Sequence, residues 1–368
     1  MTDSNSSRPL AVSPADGPVA VTGASGYVGS WIVRELVEQG YRVHSCVRDP
    51  GRPEKVDHLL AMNHQGLPGS NTLFTADLLK RGSYDDAFEG CCAVMHAGAV
   101  LTRHQATPQE VYDGCFTVVD HVIESVRRAG TVRRLVLTSS FSAVSHPADE
   151  GYVYTEKDWC TDNIEDRPPG WSEEDIPNNR HAAYAYGKAR AEQLIYRAAE
   201  QDGRFESISV LPLDVIGPVM CANHDEAGWH VWIRRMLQGE PFTLTPGGRM
   251  LWNNIDVRDV AAAHRLCAES TVARNGSRYI LAASDRSGEL FTWQLQTRLK
   301  ELFPRFQNIG GEEMDGDRPK EPTFDKPRSY CTLAMRELGL KPYSINESLK
   351  ATVDSFVRLG VLPVPNSS

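Results

Sequence analysis

A serine, a tyrosine and a lysine form the set in this sequence best suited to proton chemistry. Tyr184 and Lys188 lie four apart in a stretch that reads as a helix continuing through Ala191, Leu194 and Ile195, so both point from one face. Of the twelve tyrosines only Tyr184 has a lysine at that spacing; Tyr186 has Arg190 there and is the poorer candidate. A phenol can protonate the oxyanion that develops when a hydride reaches a carbonyl carbon. A nearby ammonium stabilises the phenolate left behind. A serine hydroxyl, Ser140 in Thr138-Ser139-Ser140, can hold the substrate oxygen. On its own a Tyr-x-x-x-Lys reads equally as a surface helix pair, and its coupling to Ser140 and to an upstream glycine loop is what makes it a candidate site.

That loop is Thr22-Gly-Ala-Ser-Gly-Tyr-Val-Gly29. Apolar Val19–Val21 reads as a buried strand, and Tyr27 onward (Val28, Trp31, Ile32, Leu36, Val37) reads as a helix ending at Gly40. Gly23, Gly26 and Gly29 fall at the handover. They suit a tight turn, close approach to a pyrophosphate, and close helix-strand packing, with the helix N-terminus facing phosphate charge. Further strand-like runs follow at Tyr41–Val47, Thr72–Ala76, Ala93–His96 and Leu135–Leu137, alternating with helical patterns over Lys55–Leu60, Tyr84–Phe88 and Gln109–Arg128. Such alternation builds an α/β, doubly wound parallel sheet of the Rossmann type, with ligands at the strands' carboxyl ends.

The second strand's end bears on the cofactor. NAD sites place a carboxylate near there for the ribose hydroxyls, whereas a phosphorylated ribose needs a cation. Here Arg48 lies 19 positions after Gly29, with Lys55 seven further on, and NADPH is expected although Asp49 adjoins Arg48. Asp77, at the end of the third strand, either accepts from the adenine amino group or serves as a helix cap or turn residue.

Composition narrows the remaining classes. The chain has 368 residues, 39 basic against 48 acidic, with net charge −9, which suggests neither a nucleic-acid partner nor an anionic membrane surface. No apolar run approaches a membrane span, and residues 1–17 read as a disordered lead-in without a hydrophobic signal core. The eight cysteines are scattered, without CxxC or paired His/Cys spacing; buried free thiols in a reducing cytoplasm, and no metal, are expected.

With these motifs assembled, the chain resembles the extended short-chain dehydrogenases/reductases, specifically the branch of dihydroflavonol, cinnamoyl-CoA and yeast-type aldehyde/carbonyl reductases. The resemblance rests on the glycine loop, Val47-Arg-Asp-Pro50 with Lys55, Val94-Met-His-Ala-Gly-Ala99, Thr138-Ser-Ser140, Tyr184-Ala-Tyr-Gly-Lys188, Leu211-Pro212 through Gly217-Pro218, Ile255-Asp-Val-Arg-Asp-Val260 and the terminal Glu347–Pro363 stretch. It runs from about residue 18 to 363, and the Tyr-Gly-Lys wording leans toward the cinnamoyl-CoA branch. It implies that Gly23, Ser25, Gly26, Tyr27 and Val28 line the pyrophosphate, that Arg48 and Lys55 meet the 2′-phosphate, and that Asp77 and Leu78 meet adenine. It further implies that Ala97, Gly98 and Ala99 pass the nicotinamide ribose, that Tyr184 and Lys188 bond its hydroxyls, and that the backbone after Pro212 (Leu213, Val215) meets the carboxamide. His96 takes a structural role. The implied reaction is NADPH-dependent reduction of a small-molecule aldehyde or ketone, in a monomer or homodimer. Its implied layout is an NADP-binding domain over 18–215, with an acidic insertion at about 145–181, then a smaller substrate lobe over 216–368 from which 250–282 returns to the core.

Three other readings use the same residues. A nucleotide-sugar epimerase or dehydratase shares the fold, but where such dehydratases generally carry an Asp-Glu pair this chain has Phe141-Ser142. A 3β-hydroxysteroid-type dehydrogenase would run the same site in the oxidative direction. A non-catalytic NADP sensor typically loses the Tyr or Lys, and both are intact here. Substrate contacts are sought beyond Pro218, where Trp229 and Trp232 are either a stacking surface or helix core, and Arg234, Arg235 and Arg249 either hold CoA phosphates or lie on the surface. The acidic insertion either lids the site or is a solvated surface segment, and residues 310–326 read as an exposed loop. Asp214 is an unexpected charge beside the presumed carboxamide contact.

Overall fold

The computed structural model describes residues 10–98, 106–146, 152–163, 169–226, 228–242, 251–285, 288–311 and 329–363. Ala99, Gly247, Gly248, Arg249, residues 312–326 and parts of the lead-in and of the acidic insertion lie outside them. The chain opens with β1 (Val19–Thr22), α1 (Tyr27–Glu38), β2 (Arg42–Val47), α2 (Pro53–Leu60), β3 (Ser70–Thr75), α3 (Asp85–Phe88), β4 (Ala93–His96), α4 (Pro108–Ala129) and β5 (Arg134–Thr138). It continues through α5 (Arg180–Asp202), β6 (Glu206–Pro212), β7 (Asp214–Ile216), α6 (Trp229–Leu237), β8 (Leu251–Asp256), α7 (Val257–Glu269), β9 (Arg278–Leu281), β10 (Glu289–Phe291), α8 (Thr292–Leu302) and α9 (Ile345–Arg358).

Among the described residues the main sheet is parallel with order β3-β2-β1-β4-β5-β6-β9. The order reverses between β1 and β4, and a crevice opens at such a switch point. The strands are short apolar runs because both faces are covered. α1, α2 and α7 close one core, while α3, α4 and α5 close the other. α4 shows clear one-sided patterning and starts from a Thr107/Glu110 capping box; Gly130 ends it with φ +67.

Beyond β6 the backbone leaves the main sheet. Pro212 closes that strand, and β7 turns to pair with β8, which pairs in turn with β10. Ile216, Ile233, Trp252, Leu295 and Phe356 gather there into a separate core. Of the segment expected to return at 250–282, α7 and β9 rejoin the main body, whereas β8 stays with the small sheet.

Two stretches differ from expectation. The described part of the lead-in is anchored rather than loose: the Val12 side chain is buried, its N–H reaches Ala268 O at 2.9 Å, and Asp16 pairs with Arg133 at 2.8 Å. In the described part of the acidic insertion the aromatic residues of 152–160 pack inward, while Glu173 and Glu174 are exposed. Tyr154 and Cys160 are buried, Arg278 stacks on Trp159 at 3.7 Å, and the same guanidinium donates to the carbonyls of Glu156 and Asp158 at 2.9 and 2.7 Å. No helix of the described residues is long and apolar enough to cross a membrane.

One buried carboxylate sets the position of α5. Glu192 accepts from Ser139 Oγ at 2.5 Å, from Arg278 Nε at 2.8 Å and from Tyr196 OH at 3.1 Å. The Glu192 and Arg278 side chains are 0% and 4% exposed, so the pair is desolvated and depends on these bonds. Glu192→Ala should lower unfolding free energy by about 3–5 kcal/mol, since it strands a buried guanidinium. Urea unfolding checks this, and a loss within about 0.5 kcal/mol, as at an ordinary surface site, would refute the pair's role.

Candidate active site

The glycine loop joins β1 to α1 with no room for side chains. Gly23 has φ +66, and a Cβ there would stand 2.7 Å from Gly98 Cα; one on Gly29 would meet Gly23 O at 2.1 Å. α1 then begins at Gly26 without a side-chain cap and without an acidic residue in its first turn. Its orphan N–H groups are therefore left to an external acceptor, the arrangement that suits a pyrophosphate. Ser25, Gly26, Tyr27 and Val28 line the cleft at this end. Tyr27 contributes through its position in the loop, because its phenol is buried and donates to Gly217 O at 2.9 Å. Burial holds that phenol well above its ordinary pKa, so it stays neutral.

Behind the loop lies a network that sequence reading missed. His224 Nε2 is 3.2 Å from Ser25 O, and Ser30 Oγ is bonded to His58 Nε2 at 2.8 Å and to Ala24 O at 2.8 Å. Burial depresses both imidazoles, His58 to about 4 and His224 to about 3, so the loop is braced by neutral rings. Cys221 and His224, three apart, converge with His58 so that the donor atoms lie within 4.8 Å of one another. The metal-free reading passed over that Cys/His spacing.

At the end of β2, Arg48, Asp49, Arg52 and Lys55 line the cleft. Arg48 is largely exposed, with its Nε 3.9 Å from the Asp77 carboxylate. Asp49 is turned to its own loop, its Oδ1 accepting from Gly51 N at 2.9 Å, while Arg52 pairs with Glu54 at 2.7 Å. Asp77 occupies a turn: its Oδ1 accepts from Leu79 N at 3.0 Å, and Ser83 Oγ donates to its carbonyl at 2.7 Å. It is Leu78, and not Asp77, that lines the cleft.

Ser140, Tyr184 and Lys188 line the same cleft of about 1240 Å³, together with Gly23, Gly29, Ala97, Gly98, Pro212, Leu213 and Val215. Ser140 follows β5, and its Oγ accepts from Ser142 N at 3.2 Å. Lys188 is buried, its Nζ donating to Thr138 O at 3.2 Å and lying 5.9 Å from the centre of the Tyr184 ring. Gly187 between them allows α5 to press on α4, because a Cβ there would meet Cys115 Cβ at 3.0 Å. His96 is fully enclosed and bonded to Thr22 Oγ1 at 2.7 Å; burial first, and Lys188 second, depress it to about 3. It therefore braces the β1–β4 junction. Asp214, Asn253, Glu289, His181 and Asn223 also line the cleft. Asp214 alone among these carried a sequence signal. The Trp229 and Trp232 rings pack edge-on against Trp252 and Phe242 respectively, and Arg235 lies over Trp232 at 4.4 Å.

The family model described as "NAD dependent epimerase/dehydratase family" matches residues 19–282. The chain is 37% identical to a dihydroflavonol 4-reductase of Arabidopsis thaliana, over 94% of this chain and 84% of that protein. It is 32% identical to cinnamoyl-CoA reductase 2 of the same plant, over 95% of each. Its fold matches that of Gre2 from Candida albicans in complex with NADPH, with TM-score 0.77 and 22% identity, covering 93% of this chain and 99% of that one.

Gly29→Ala should cost about 1–3 kcal/mol of fit at the β1–α1 junction. Fluorescence titration with NADPH should show binding weakened about tenfold or more. Affinity equal to wild type would refute the Gly29–Gly23 contact as a requirement for binding.

Proposed function

This chain belongs to the NAD dependent epimerase/dehydratase family, and on that premise we propose that it uses NADPH to reduce an aldehyde or ketone to an alcohol through Ser140, Tyr184 and Lys188. At the coarser level it is an NAD(P)-dependent reductase of the extended short-chain dehydrogenase/reductase kind. The observation that carries the finer reading is the convergence of these three side chains on the cleft that also exposes the uncapped start of α1.

The dinucleotide, when bound, supplies the hydride. The N–H groups at the start of α1 would hold the pyrophosphate, and Arg48 and Lys55, with Arg52 beside them, would hold the 2′-phosphate. Gly23 and Gly98, in close backbone contact, line this cleft as well. Ser140 Oγ hydrogen-bonds the substrate carbonyl oxygen and fixes it toward Tyr184. The Tyr184 hydroxyl transfers its proton to that oxygen as negative charge develops there. Lys188, held by Thr138 O, keeps its positive charge near the phenolate that results. Leu213 and Val215 line the same cleft.

The test is NADPH oxidation over a panel of aryl aldehydes, ketones and acyl-CoA thioesters. Tyr184→Phe should lower kcat by about 100- to 10,000-fold, the range of a lost general acid, with NADPH affinity little changed. Turnover that survives in this variant would refute the assignment. Arg48→Ala should weaken NADPH binding by about 10–100-fold and leave NADH nearly untouched, as for a lost hydrogen bond to a charged group. Equal binding of both dinucleotides by wild type would refute the 2′-phosphate contact.

A further inference from the structure

Asp214 and Glu289 bring two carboxylates to the cleft wall that the small sheet builds, and the reduction uses neither. Asp214 opens β7 and Glu289 opens β10; β8 runs between them, and Asn253 on β8 reaches both. The Asn253 backbone N–H donates to Asp214 Oδ2 at 3.0 Å, and its side-chain amide lies 3.4 Å from Glu289 Oε1. The remaining amide capacity of Asn253 is committed, Nδ2 to Ser329 O at 2.7 Å and Oδ1 to Ala283 N at 2.8 Å. It has no more donors to give.

An ionised carboxylate is acceptor-only and has room for about four hydrogen bonds. Among the described residues Asp214 accepts one, from Asn253. Among the described residues the cations that line the cleft are placed elsewhere: Arg48, Arg52 and Lys55 follow β2, and Lys188 is held by Thr138 O. Burial pushes the Asp214 carboxyl up to about 7, so its charge is costly in the absence of a further donor. A brace between β7 and β8 would need only one acceptor oxygen, which asparagine supplies as well as aspartate.

We propose that Asp214, with Glu289 beside it across Asn253, is a specificity-determining subsite that accepts a hydrogen bond from a hydroxyl group of the carbonyl substrate. The inference rests on the reductase reading and narrows it: the preferred aldehyde or ketone carries a hydroxyl donor in addition to the group that is reduced. A site built to hydrogen-bond a hydroxyl discriminates against the analogue without one, because its own polar group is then left unpaired.

The test compares acetophenone with its ring-hydroxylated and 2-hydroxy counterparts on the full chain with saturating NADPH, for wild type, Asp214→Asn and Glu289→Gln. Wild type should prefer at least one hydroxylated ketone by about 10–100-fold in kcat/KM, the scale of a hydrogen bond to a charged group. Asp214→Asn keeps an acceptor for Asn253 N–H and should shrink that preference about tenfold or more, mainly through KM; Glu289→Gln should shrink it less. No preference in wild type, or an unchanged ratio in Asp214→Asn with both substrates slowed alike, would overturn the subsite and leave Asp214 a strand brace. Should wild type oxidise NADPH with no carbonyl at all, the reductase reading fails separately. The subsite is then decided by ligand-observed NMR of the same ketone pairs on the NADPH-loaded wild-type and Asp214→Asn proteins. Stronger binding of the hydroxylated ketone, lost in the variant, supports it, and equal binding overturns it.

Discussion

The geometry of the candidate site depends on one carboxylate that never touches it. Glu192 lies one turn beyond Lys188 on α5 and binds Ser139, the immediate neighbour of Ser140. A single side chain thus couples the helix that carries Tyr184 and Lys188 to the strand end that carries Ser140. Arg278 closes the arrangement from β9 and extends it to the 156–159 segment through two carbonyls and the Trp159 ring. In a low-dielectric interior such a set holds only if its members are well bonded, and removing one leaves the others exposed to the full desolvation cost. The positioning of these three candidate side chains is therefore an electrostatic matter as much as one of packing.

A second division of labour runs between the two sheets. The parallel sheet supplies the glycine loop, the strand-end serine and the floor at Ala97 and Gly98. The small sheet of β7, β8 and β10 supplies the opposite wall and carries polar groups where the main sheet is apolar. The two meet at α1. Its Tyr27 hydroxyl and Trp31 indole N–H both bond to carbonyls of the segment that follows β7, at Gly217 and Pro218. The helix whose N-terminus opens on the cleft is thus also tied to the segment that follows β7.

Much of this was legible in the residues because the main sheet obeys simple periodicities. Short apolar runs became buried strands, and Gly23 and Gly29 stand where backbone meets backbone. The spacing of Tyr184 and Lys188 placed them on one helix face. What escaped was written in polar residues at buried positions. Glu192 on a helix reads as a surface charge until Ser139 and Arg278 are seen beside it. Asp214, Asn253 and Asn254 break the apolar pattern of β7 and β8, so that sheet was not anticipated. Asp77 offered two roles, and only the positions of Leu79 and Ser83 show it serving a turn. The acidic insertion misled in the opposite sense, since its charge count hid Tyr154, Trp159 and Cys160.

The uncapped start of α1 has a thermodynamic consequence. A helix whose first-turn donors have no side-chain cap among the described residues is incomplete until an anion arrives, so part of the cofactor's binding free energy is also free energy of folding for β1, the loop and α1. The dinucleotide then acts as a conditional structural element, and resistance to unfolding and proteolysis tracks how much of it surrounds the protein. A cell that depletes its reduced dinucleotide would thereby shorten the life of this chain as well as idle it.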